Sequence, residues 1–156
     1  MPLLAKDVDL IAYGSEGQPL LLVEVKGQRQ TSATWAARFR QNLMEAGALP
    51  RAPFFMIATP ERMYFWRRDE RDQASREPQF SVDAVSELTP YFEKLRQSPE
   101  KVSRSALQLI LFTWLVDLSQ PSGQARARQD PLLQWLSSSG LLDALGGARI
   151  ESGAYG

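Results

Sequence analysis

The strongest constraint on this chain lies in its first 25 residues. Two short apolar runs, VDLIAY at 8–13 and QPLLLVEV at 18–25, flank Gly14, Ser15, Glu16 and Gly17. Two glycines among polar residues between such runs form the pattern of a β-hairpin. Both runs are apolar at odd and even positions alike, so neither face suits water. The strands need a sheet covered by helices on both sides, and a one-sided meander does not meet that need.

Further along, Thr31 or Ser32 is placed to cap a helix running to about residue 47. Trp35, Phe39, Leu43 and Ala46 fall on one stripe of it and Gly47 lies near its end. PFFMIAT at 53–59 and RMYFWR at 62–67 then read as two more strands around a tight Pro60-Glu61 turn. A helical crossover returns the chain parallel, whereas short turns reverse it. The order strand, strand, helix, strand, strand therefore predicts an α/β fold with a mixed four-stranded core sheet and a crossover helix, followed by C-terminal helices. Those helices are expected at 82–97, 100–119 and 130–145, the first two separated near Pro99 and the last broken around Gly140. Residues 68–78 read as a charged surface loop, 119–128 as a flexible connection, and Gly146-Gly147 as a turn. At 156 residues the chain suits one domain, with 1–68 as its core and 69–156 as a helical extension packed on it.

Composition matters through two zeros: there is no histidine and no cysteine. That removes a cysteine nucleophile, a Ser-His-Asp triad, a disulfide and a Cys/His zinc site, and leaves any metal to oxygen ligands. Acid–base chemistry falls to carboxylates, Lys, Tyr or metal-bound water. The opening MPLLAKDVD meets charge too early to supply a signal-peptide apolar region, and the nearly apolar run at 106–118 is short and contains Gln108 and Asp117. A cytoplasmic protein without a membrane partner is expected.

The formal net charge is zero, but its distribution is uneven. Residues 1–24 hold one lysine against four acidic residues, and residues 25–68 hold eight basic residues against two acidic ones. A cationic surface beside an anionic pocket suits a phosphodiester substrate with a bridging metal.

The two halves of that pattern meet at DLIAYGSEGQPLLLVEVK, residues 9–26. A hairpin centred between Glu16 and Gly17 pairs Tyr13 with Leu20, Ile11 with Leu22, and Asp9 with Glu24. Directly opposed residues share a face, and a period of two adds Lys26 to it. Asp9 and Glu24, with the Val25 backbone carbonyl, are the donors a hard ion such as Mg²⁺ takes, and Lys26 stands ready to orient or activate water. The acidic-x-Lys spacing is weak alone, since about one such tripeptide is expected by chance in a chain of this length. Its place discriminates: it ends a buried strand, follows an Asp-initiated strand by a hairpin, and precedes a crossover helix. Lysine also stands at 26 in a chain that uses Arg at 14 of its 18 basic positions, and only lysine titrates within reach of catalysis.

VDLIA, then LLLVEVK, then a helix and FFMIAT resemble the core of the PD-(D/E)XK nuclease superfamily, the restriction-endonuclease-like fold. Residues 9–26 are also similar to the N-terminal nuclease segment of Type I restriction motor subunits. The resemblance covers roughly residues 5–68. It implies Asp9, Glu24 and Lys26 as catalytic residues, with Mg²⁺ or Mn²⁺ held by Asp9, Glu24 and the Val25 carbonyl, and hydrolysis of DNA phosphodiesters. Val8 stands where the motif has proline. The family usually places a helix before the Asp strand, often with a further acidic residue; here eight residues precede Asp9, and alternation turns Asp7 to the opposite face.

Gln28, Gln30, Arg38 and Gln41 are candidate substrate contacts, although solvated polar positions are the commoner role for such residues. Tyr64, Phe65 and Trp66 suit core packing better than base stacking. The stripe Leu109, Phe112, Trp114 and Leu115 suits packing or a partner interface. The main rival to a nuclease is a catalytically degenerate module of the same fold, acting through its apolar C-terminal helices on a protein partner or as a homodimer. A metal-independent nucleic-acid binder built on the basic middle is the third reading.

Overall fold

The computed structural model describes residues 8–69 and 72–153. Its hairpin pairs β1 (Leu10–Tyr13) with β2 (Pro19–Val25), closed by Gly14 N–H donating to the Gln18 carbonyl at 2.8 Å. Gly17 turns the corner at φ +79, a conformation that favours glycine. The pairing follows the expected register at Ile11↔Leu22, but a bulge between Ala12 and Tyr13 sets Tyr13 against Pro19, not Leu20.

Ser32 caps the crossover helix α1 (Ala33–Glu45), its hydroxyl accepting from the Trp35 N–H at 3.1 Å. The helix returns the chain to β3 (Phe54–Ala58), parallel to β2 with Glu24 opposite Ile57. Then β4 (Arg62–Arg67) runs back antiparallel. These four strands are extended by two that the sequence pattern does not announce. β5 (Phe80–Asp83) adds to β4, and β6 (Arg149–Ser152) adds to β1, so the mixed sheet has six strands in the order β5-β4-β3-β2-β1-β6.

The sheet is covered on both faces, as its two-sided apolar strands require. One face carries Ile11, Leu22, Phe55, Ile57, Tyr64 and Trp66, on which α1 lays Trp35, Phe39 and Leu43. The other carries Leu10, Leu21, Val23, Val25, Met56 and Phe65 beneath the C-terminal helices. Those are α2 (Ala84–Lys94), α3 (Arg104–Ser119), α4 (Pro121–Gln129), a single 3-10 turn (Pro131–Leu133), α5 (Gln134–Ser139) and α6 (Leu141–Leu145). Residues 119–128, expected as a flexible connection, are largely helical. Pro121 starts α4 with a favourable φ, and Gly123 lets the helix close against the Asp117 carbonyl. The break at Gly140 occurs as expected, with Gly140 at φ +88 between α5 and α6.

The C-terminal apolar stripe is divided. Trp114 and Leu115 are buried in this chain's own core, Phe112 is partly buried against it, and Leu109 is 53% exposed. Among the described residues no helix is long and apolar enough to cross a membrane.

Candidate active site

The site forms where β1 begins and β2 ends. Beyond the last ladder pair, Leu10↔Val23, the Asp9 side chain takes over the role of backbone: its Oδ2 accepts the Val25 N–H at 2.8 Å. The Asp9 carbonyl accepts from Gly153 N–H at 2.7 Å and from the Gln108 side-chain amide at 3.3 Å. Asp9 is thus buried and held on three sides, 8% exposed.

Glu24 lies against it. Burial, then the negative charge of Asp9, then a hydrogen bond shared with Asp9 push the Glu24 carboxyl up to about 8, while Lys26 and Arg104 pull in the other direction. A carboxyl beside a carboxylate in a poorly solvated pocket keeps its proton because two negative charges cannot both be accommodated there. Lys26 follows on the same edge. Its N–H donates to the Ala58 carbonyl at 2.9 Å, and its amine sits 4.4 Å from the Phe39 ring centroid on α1.

The residue that sequence reasoning missed is Arg104. It comes from the opposite layer, at the first position of α3, immediately after the Ser103 cap. Its Nε donates to the Val25 carbonyl at 2.9 Å and one terminal nitrogen donates to Asp9 Oδ1 at 2.5 Å. A rigid guanidinium fork suits this task, bridging a carbonyl and a carboxylate at once. Nothing in the local sequence marks Arg104, because its partners lie 79 and 95 residues away.

The other sequence candidates make no hydrogen bond to Asp9 or Glu24 among the described residues. Gln28 and Arg38 are exposed. Gln30, at φ +57, gives its N–H to the Glu61 side chain at 2.6 Å, and Gln41 donates to Glu45 along α1 at 3.2 Å. Much of the basic middle is bound within the chain. Arg40, 4% exposed, pairs with Asp72 at 2.7 Å and lies over Trp66; Arg29 donates to the Pro99 carbonyl, Arg62 to Ser81, and Arg67 to the Ser139 carbonyl. Asp7 lies outside the described residues.

Two carboxyls and a carbonyl are the right donor types for a hard divalent ion. As arranged here they do not fit one: the Asp9 oxygens and the Val25 carbonyl are engaged by the Val25 N–H and by Arg104. Among the described residues no group of three or more acidic, histidine or cysteine side chains gathers for a metal. Comparison with family models, curated proteins and solved structures gave no match to this chain.

Proposed function

We propose that this chain is a nuclease-type domain of restriction-endonuclease-like fold that hydrolyses DNA phosphodiester bonds at Asp9, Glu24 and Lys26; carboxyl and carbonyl oxygens are the donor types Mg²⁺ or Mn²⁺ takes, although in this arrangement those of Asp9 and Val25 are bound to Arg104 and the Val25 N–H. The observation that carries the reading is the Asp9–Glu24 contact, two carboxyls sharing a hydrogen bond in a pocket that strains to hold both charges, with Lys26 two residues on. Such paired carboxyls are costly to a fold and are found where a cation or a proton must be handled. Asp9 orients the end of β2 through the Val25 N–H, Glu24 holds a proton near neutral pH, and Lys26 supplies a positive charge beside them.

A second reading keeps the fold and drops the chemistry: a degenerate module acting on a protein partner or as a homodimer. It is favoured by Arg104, which makes the centre self-complementary. Cleavage of plasmid, linear and single-stranded DNA with Mg²⁺ or Mn²⁺ decides between them. The nuclease reading expects cutting by the wild type and a loss of at least about 100-fold in Lys26→Ala, the scale of a lost proton-transfer or charge-stabilising group. Equal cutting by both proteins, or none under any condition, rejects it.

A further inference from the structure

We propose that the Arg104 guanidinium and a divalent cation are mutually exclusive occupants of the Asp9 carboxylate and the Val25 carbonyl, so that Arg104 is a built-in counter-ion holding the centre closed. The proposal rests on the nuclease reading of the site but concerns occupancy, not turnover. Arg104 donates to the very oxygens that a bridging ion would need, at 2.9 Å from Nε to Val25 and 2.5 Å from a terminal nitrogen to Asp9.

A hard ion such as Mg²⁺ requires its oxygens at about 2.0–2.1 Å. With the guanidinium on the same oxygens, the two cations would stand within a few ångströms of each other, where like charges repel. One must leave.

The structure provides for that exchange. The Arg104 side chain is 40% exposed while the Asp9 side chain is 9% exposed, so the arginine, not the carboxylate, is the member of the pair open to solvent. Arg104 also stands at the first position of α3, whose grip on the core comes from Leu107, Ile110, Leu111 and Trp114 further along. Outward rotation of the guanidinium leaves those core residues of the helix in place. Asp9 cannot follow, because its Oδ2 and its carbonyl remain tied to Val25, Gly153 and Gln108. A displaced Arg104 would stand at the rim of the centre with its charge available to an anionic ligand, and the phosphate backbone of DNA is the ligand of that chemistry.

Mn²⁺ titration by calorimetry on the full chain, without DNA, tests this directly. Arg104→Gln should bind Mn²⁺ at least about 10-fold more tightly than the wild type, a difference of about 1.4 kcal/mol. Adding Asp9→Asn to Arg104→Gln should remove the gain. Equal affinity in wild type and Arg104→Gln overturns the proposal, as does a gain that survives Asp9→Asn, or an absence of Mn²⁺ binding in every protein. Should Arg104→Gln fail to fold, Arg104→Met, which removes the charge and keeps most of the side-chain length, takes its place and must likewise bind Mn²⁺ more tightly than the wild type. A parallel cleavage assay separates the two readings. Tighter Mn²⁺ binding without cutting retains the counter-ion and rejects the nuclease; cutting by wild type with unchanged affinity on removing Arg104 does the reverse.

Discussion

Asp9 and Lys26 sit in one centre but are tied to the fold very differently. Asp9 satisfies the Val25 N–H and the Arg104 guanidinium, so Asp9→Ala leaves a donor without its acceptor in a buried place. That should cost about 2–3 kcal/mol in urea unfolding. Lys26 only rests its amine over the Phe39 ring, and Lys26→Ala should cost less than about 1 kcal/mol. A loss of activity in Asp9→Ala therefore mixes structure with chemistry, whereas the same loss in Lys26→Ala reports chemistry. If Lys26→Ala proves the more destabilised of the two, this account of what anchors the site is wrong.

Between elements, α4 approaches α3 closely at Gly123. An ideal Cβ on Gly123 would lie 1.7 Å from the Asp117 carbonyl oxygen, and the atom it meets is backbone. Gly123→Ala must push α4 off α3, with an expected cost of about 2–3 kcal/mol and a lower thermal midpoint. An unchanged midpoint would mean that the two helices are not packed this way. The same pair shows what sequence could and could not disclose. β1 to β4 and α1 were legible because long apolar runs, glycine turns and the Ser32 cap all agree locally. α4 was not, because PSGQARARQ has little apolar periodicity and reads as a linker until Gly123 meets Asp117. β5 and β6 escaped notice for a related reason: FSVD and RIES are four-residue edge strands, made into strands by the neighbours they pair with. At the site, the Asp9–Glu24 proximity followed from hairpin register. Arg104 depended on how α3 docks over the sheet, which no local pattern encodes.

Across the whole molecule, two carboxyls among the described residues are made reluctant to ionise by burial. Glu24 is pushed up to about 8, and Glu87 is raised to about 7, chiefly by burial, although the Trp135 indole N–H donating to it at 2.7 Å works against the shift. Both values lie above the ordinary 4.5. The folded protein therefore holds protons that the unfolded chain has already released, and stability must fall as pH rises from about 4.5 through 7 and 8. Solvent screening reduces the share of Glu87, which is partly exposed. Together the two should lower unfolding free energy by on the order of 3 kcal/mol between about pH 5 and pH 8, and Glu24→Gln/Glu87→Gln should flatten that slope. Urea midpoints across this range check it; a wild type that grows more stable toward pH 8 contradicts the prediction.

The wide sequence separation of the contacts around Asp9 also imposes an order of events. The hairpin that brings Asp9 beside Glu24 closes across a short turn, but the bonds from Arg104 and Gln108 to Asp9 span 95 and 99 residues. Contacts of that span form only after most loop-closure entropy has been overcome. During synthesis the two carboxyls are made long before the arginine that neutralises them. The centre thus matures late, and a nascent chain passes through an interval in which its acidic pair is assembled with Lys26 beside it but without Arg104.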